Sequence, residues 1–179
     1  MKIFRSHSLE ETRELATGWL QSLAARPFGE SSSSPPACRQ ARQTPQDGNS
    51  LGATVVGMSG HLGAGKTAFV KIVAKLLGVK EEVTSPTFVI MKIYELDPNS
   101  QFPISNSTCP WKRLVHIDAY RLERAEELEV LNFDRLVADP GHLIMIEWPE
   151  NVELDKVLPD HHRMKFEVVE GEYRMTTIE

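Results

Sequence analysis

Residues Gly60-His61-Leu62-Gly63-Ala64-Gly65-Lys66-Thr67 form a complete G-x-x-x-x-G-K-[ST] loop, and a chain that carries one must supply a strand before it and a helix after it. Each fixed position has its own task. The glycines let backbone N–H groups turn inward around phosphate oxygens, Lys66 brings a point charge to the β/γ oxygens, and the Thr67 hydroxyl can join the shell of Mg²⁺. The flanks agree with this. Ala53 to Met58 reads as a short buried strand, and Ala68 to Leu77 has helical periodicity that stops at Gly78. The predicted nucleotide-binding set is Gly60, His61, Leu62, Gly63, Ala64, Gly65, Lys66 and Thr67, with Ala68 in the first helical turn.

A length of 179 residues suits one α/β domain with its own core, taken as 1–179. Twenty Lys and Arg against 25 Asp and Glu leave a net charge of −5, so no basic field is available to hold nucleic acid unaided. Cys38 and Cys109 lie in polar stretches without metal-ligand spacing, and no zinc site is implied. No apolar run approaches membrane-spanning length, and a cytoplasmic chain is expected.

Between Leu9 and Leu23 the residues Leu15, Ala16, Trp19, Leu20 and Leu23 share a helical stripe, with Ser8 as N-cap and Glu10 and Glu11 in the first turn. Two polar stretches interrupt the fold, at about 26–49 and 97–112. Both are expected to be loop insertions: the first disordered, because it holds too little apolar surface to offset ordering entropy, and the second, with three prolines and several Ser and Asn, an extended hairpin-like excursion. Thr84 to Tyr94 predicts a strand after Pro86, Arg113 to Asp118 another, and Ala125 to Leu131 a short helix closed by Asn132 in the left-handed conformation. Leu143 to Ile146 is a continuous apolar run ending in Glu147, as expected of a central parallel strand. The tail from His162 to Ile178 alternates about Glu170-Gly171-Glu172 and predicts an antiparallel hairpin at the sheet edge. His161 and His162 read as a solvated turn after Pro159. Together these predict a P-loop NTPase fold with a mostly parallel sheet flanked by helices.

Ligands in open α/β sheets sit beyond the carboxyl ends of the strands, where the phosphate loop, Asp118 and Glu147 converge. Glu147 suits Mg²⁺ binding, directly or through water, and suits proton abstraction equally; a strand-end carboxylate that only caps a helix is the structural alternative. Residues 116, 118 and 120 fall on one side of an extended strand. Either Asp118 positions the attacking water or Mg²⁺ while His116 supports it, or the three form a buried hydrogen-bond network with a structural task; the first reading is favoured for Asp118, the second for His116 and Tyr120. Thr87 is either a γ-phosphate-sensing hydroxyl or an ordinary strand-entry turn residue. Lys66, Asp118 and Glu147 form the catalytic set, and Thr67 and Glu147 the metal set.

The phosphate loop, Ser85-Pro86-Thr87-Phe88, His116-Ile117-Asp118-Ala119-Tyr120-Arg121-Leu122 and Ile146-Glu147-Trp148-Pro149-Glu150, in this order, closely resemble the TsaE family, formerly YjeE. The resemblance covers nearly the whole chain outside the two insertions. It implies a Mg²⁺-dependent ATPase needed for threonylcarbamoyladenosine at position 37 of tRNA, acting on a complex of the transferase TsaD and its partner TsaB rather than on tRNA itself. By the same resemblance Lys66 and Thr67 serve phosphate and Mg²⁺, Glu147 serves Mg²⁺ and Asp118 serves hydrolysis. Trp148 belongs to the same site as a partner-sensitive switch, and Thr12 and Arg174 enclose the adenine. His61 stands where the family usually has Asp, and Asn132 where it usually has Gly. Two other classes stay open: a small P-loop kinase, for which few arginines follow Glu147, and a non-hydrolysing nucleotide-binding module. A GTPase lacks support, since no Asn-Lys-x-Asp motif occurs.

Overall fold

A computed structural model describes residues 2–24, 52–97, 109–169 and 173–178. Among the described residues seven strands form one sheet: β1 (Lys2–Ser6), β2 (Thr54–Ser59), β3 (Met91–Glu95), β4 (Arg113–Asp118), β5 (His142–Glu147), β6 (His162–Val169) and β7 (Tyr173–Ile178). Their spatial order is β1-β7-β6-β2-β5-β4-β3. The four central strands β6, β2, β5 and β4 run parallel, while β3 on one side and β7 with β1 on the other are antiparallel to their neighbours. The sheet is therefore parallel at its core and mixed at its flanks.

Side chains alternate across this sheet with the period of two that extended backbone imposes. Val56, Met58, Leu143, Met145 and Leu114 face α1 (Leu9–Ala24) and α2 (Lys66–Leu76), in a core that also holds Leu20, Phe69 and Val73. Val55, Ile144, Ile146, Val115 and Ile117 face the other way. They pack on Leu128 of α3 (Glu127–Val130), Phe133 of α4 (Phe133–Ala138) and Leu154 of α5 (Leu154–Val157). Aromatic rings tie the first layer together: Trp19 of α1 meets Phe69 of α2 at 5.5 Å between centroids, and Phe69 meets Phe166 of β6 at 5.5 Å.

Helix α1 forms where its apolar stripe requires, with Thr12, Leu15, Ala16, Trp19, Leu20 and Leu23 buried. The Glu11 N–H donates to Ser8 Oγ at 3.1 Å, satisfying one of the free amides of the first turn. Asn132 takes φ 54° and ψ 39°, the left-handed conformation expected of it, between α3 and α4.

Three expectations need correction. The strand predicted after Pro86 is confined to β3, because the Pro86 carbonyl accepts from Val89 N at 2.8 Å and closes a turn. Phe88 and Val89 consequently face solvent, at 84% and 58% exposure. The terminal hairpin forms as β6–β7 but does not sit at the edge: β6 pairs with β2, and β1 covers β7. Strand β1 is short and Lys/Arg/Ser-rich, so only its pairing with β7 makes it a strand. His161 is buried rather than solvated, its Nδ1 2.7 Å from the Leu158 carbonyl oxygen, and His162 opens β6.

The insertion expected at about 26–49 lies outside the described residues, as does 98–108 of the second. The second insertion's end is part of the core: Trp111 is buried and donates from Nε1 to Thr54 Oγ1 at 3.0 Å. Among the described residues no helix is long and apolar enough to cross a membrane.

Candidate functional site

Beyond the carboxyl ends of β2, β4 and β5 lies a cleft of about 420 Å³. The phosphate loop lines one side with Leu62, Gly63, Gly65, Lys66, Thr67 and Ala68, and Ser85, Thr87, Asp118, Tyr120, Glu147 and Trp148 line the rest. The loop gets its shape from glycines in backbone regions that disfavour other residues: Gly60 at φ 134°, Gly63 at φ 80° and Gly65 at φ 105°. Gly65 precedes α2 without any side-chain cap, so the first N–H groups of α2 stay available to an anion at the positive end of the helix dipole.

Lys66 folds back into the loop. Its Nζ donates to the carbonyls of Gly60 and, at 3.1 Å, His61, and lies 3.9 Å from the centroid of the Trp148 ring. Burial pushes its pKa below the usual lysine range, against the opposing pull of Glu147, Glu150 and Asp118. The His61 side chain is exposed, so the loop uses its carbonyl and not its ring.

Glu147 is 3% exposed and is held from two sides. The Thr67 hydroxyl lies 2.8 Å from Oε1 and 2.9 Å from Oε2, and His116 Nε2 lies 2.8 Å from Oε1. This follows from sheet parity: Leu114 and Met145 face α2, and so do His116 and Glu147 two positions further along their strands. Asp118, the next on that face, accepts Tyr120 N at 3.1 Å on Oδ1. Its Oδ2 accepts the hydroxyl of Thr87 and lies 3.4 Å from that of Ser85.

The sequence placed Tyr120 in a buried network with His116 and Asp118; the structure does not. Strand β4 ends at Asp118, and Tyr120 sits in a 3₁₀ turn (Ala119–Arg121), half exposed, with its ring 5.3 Å from that of Trp148. Trp148 itself has φ 60° and ψ 51°, a conformation that costs a non-glycine residue about 1–3 kcal/mol and concentrates at functional sites. Ser85 was overlooked as a site residue, although its place in Ser-Pro-Thr, where Pro86 directs the chain into a turn, was a usable signal.

Thr12 is apart from this cleft's lining. The Thr12 hydroxyl lies 3.1 Å from Ser6 Oγ and 2.9 Å from the Ser8 carbonyl oxygen. Arg174 of β7 stands opposite Ser6 of β1 in the strand register.

A hard cation fits the donors present. The Thr67 hydroxyl and the Glu147 carboxylate are both oxygen ligands, and no group of three or more His, Cys, Asp or Glu placed to hold a metal ion occurs among the described residues. One carboxylate and one hydroxyl, with phosphate oxygens and water completing the shell, is the arrangement Mg²⁺ favours and an all-protein metal cage is not.

The family model described as threonylcarbamoyl adenosine biosynthesis protein TsaE matches residues 38–176. The chain belongs to the TsaE family. Among curated members, the tRNA threonylcarbamoyladenosine biosynthesis protein TsaE of Streptomyces coelicolor is 35% identical over 119 residues, covering 66% of this chain and 71% of its own. The TsaE protein of Treponema pallidum is 34% identical over 128 residues, covering 69% of this chain and 82% of its own. The crystal structure of Bacillus subtilis YdiB matches 99% of this chain and 83% of its own at a TM-score of 0.59 and 22% identity, a likeness of fold. The TsaE assignment agrees with a phosphate-binding loop in an α/β domain whose carboxylates converge on one cleft.

Proposed function

We propose that this chain is a Mg²⁺-dependent ATPase of tRNA threonylcarbamoyladenosine biosynthesis, whose ATP binding and hydrolysis drive or reset a TsaB–TsaD transferase complex. The observation that carries the reading is the convergence of Thr67, Glu147 and Asp118 on the phosphate-loop cleft, with Glu147 within 2.8 Å of the Thr67 hydroxyl. Relatives named for the same tRNA modification supply the pathway. A net charge of −5 supports contact with tRNA only through partners.

The amides of the loop and of the first turn of α2 take up phosphate oxygens. Lys66 gives up the Gly60 and His61 carbonyls for the β/γ oxygens, moving off the Trp148 face as it does so. Thr67 and Glu147 would hold Mg²⁺, which neutralises developing charge on the β and γ phosphates. Asp118, released from Thr87, accepts a hydrogen bond from water and aligns it for in-line attack: a bond forms from the water oxygen to the γ-phosphorus, the bond from the γ-phosphorus to the β–γ bridging oxygen breaks, and the water's proton passes to an oxygen of the departing γ-phosphate. Thr87 then stands free to donate to the γ-phosphate. Thr12 and Arg174 enclose adenine in this proposal. Support comes from Ser6, which touches the Thr12 hydroxyl and is the register partner of Arg174. Trp148 senses the partner complex, in keeping with its left-handed backbone and its contact with Lys66.

ATP hydrolysis measured alone and with a TsaB–TsaD pair, with Lys66→Ala as control, tests the reading. Stimulation by the pair that Lys66→Ala abolishes is expected. Turnover indifferent to the pair would point instead to a small P-loop kinase.

A further inference from the structure

His116 is fully buried on β4, between Lys92 of β3 and Met145 of β5 in the register, and two features of its ring stand out. Nε2 lies 2.8 Å from Glu147 Oε1, whereas Nδ1 has no hydrogen-bond partner among the described residues. A buried polar atom left unmatched loses its hydrogen bonds to water without replacement, a net cost to the fold. An apolar side chain at this place in the core would avoid that cost, so packing alone does not account for a histidine here.

The tautomer follows from the neighbour. A carboxylate only accepts, so the proton sits on Nε2 and is donated to Glu147, leaving the bare Nδ1 lone pair facing the core. The opposite tautomer would set two acceptors against each other and bury an unmatched N–H. Thr67 has one hydroxyl proton to share between the two Glu147 oxygens, so it does not by itself single out one of them, and the hydroxyl is also a candidate cation ligand. The His116 contact remains.

We propose that His116 is a positioning residue: by anchoring Oε1 it fixes the rotation of the Glu147 carboxylate and leaves Oε2 as the oxygen presented to the cleft. The inference rests on the reading that Glu147 helps to hold a cation. Buried partners that orient metal-holding carboxylates act in this way, and their loss costs roughly 10–100-fold in metal affinity.

Three substitutions separate positioning from packing. A glutamine amide reaches the place of Nε2 and can donate to Glu147; an asparagine amide reaches only the place of Nδ1; a leucine fills the volume without a donor. The test measures Mn²⁺ affinity of ADP-saturated protein by electron paramagnetic resonance, ADP affinity in the presence of EDTA, and kcat and KM for ATP. The wild type is expected to bind Mn²⁺. His116→Asn and His116→Leu should each weaken Mn²⁺ about tenfold or more, with metal-free ADP affinity and the KM for ATP unchanged and kcat lowered, and His116→Gln should recover most of both losses. Equal Mn²⁺ affinity in all four proteins overturns the positioning role and leaves the cation reading intact. Equal loss in Gln and Asn overturns it as well, and if Leu fails to fold, the Gln–Asn comparison alone decides. A wild type that binds no Mn²⁺ with ADP removes the cation reading, and this inference with it.

Discussion

Lys66 is held in a place that opposes its charge, and two measurable effects follow at the level of single residues. Because burial lowers its pKa in the folded state, the unfolded chain holds more protons between that lowered value and the ordinary one, so this residue's contribution to stability rises with pH across the window. In denaturation at a series of pH values, the stability difference between wild type and Lys66→Met should therefore shift toward the wild type as pH climbs to the usual lysine range. A shift toward Lys66→Met would reverse the assignment. Asp118 makes a different demand. In the proposed mechanism Asp118→Asn keeps the size and the contact with Tyr120 N but removes the charge that aligns water, so ATP affinity by calorimetry should hold while turnover falls roughly a hundredfold or more. Equal loss of binding and turnover would count against its role.

Among the elements, the phosphate loop depends on its neighbours to different degrees at different glycines. A Cβ on Gly60 would lie 2.2 Å from the Phe166 carbonyl oxygen of β6, at a φ of 134° that disfavours any side chain. Gly63 has open space around it and only its φ of 80° against substitution. Gly60→Ala should cost more than about 2 kcal/mol and Gly63→Ala about 1–2 kcal/mol, an order that thermal melting of the two variants would check. The same comparison shows what a motif leaves unsaid. The pattern of glycines was legible before any fold was known, whereas the β6 carbonyl that makes Gly60 intolerant comes from about a hundred residues later in the chain. The segment from Ser85 to Ile90 shows the opposite limit. Its apolar, β-branched composition favours a strand, yet the hydrogen bonds that close on the Pro86 carbonyl prevail and turn Phe88 and Val89 outward.

Across the whole molecule, the layer of α1 and α2 supports the cleft from behind. Leu20 is completely buried in that layer, among residues that also include Phe69 and Val73. Leu20→Ala should lower unfolding free energy by about 2–5 kcal/mol, read as a lower urea midpoint at unchanged slope. ATP affinity of the folded protein should stay the same, since Leu20 contributes packing and no group to the site. Loss of affinity in a still-folded variant would show that α1 shapes the cleft directly.

Local chemistry was sufficient to place the phosphate loop, its strand and helix, the apolar run that ends in Glu147 and the turn at Asn132, because each rests on interactions between residues near one another in the chain. The candidate site was legible to the same extent: Lys66, Thr67, Asp118 and Glu147 are named by motif and strand end. Only the tertiary structure decided that β1 completes the sheet beside β7, that His161 and Trp111 are buried, and that Tyr120 leaves the strand to meet Trp148. It also decided that His116 Nε2 comes within 2.8 Å of Glu147 Oε1. Those outcomes depend on strand order and on which residues a neighbouring strand brings within reach, and sequence periodicity carries the face a residue takes but not the partner it finds there.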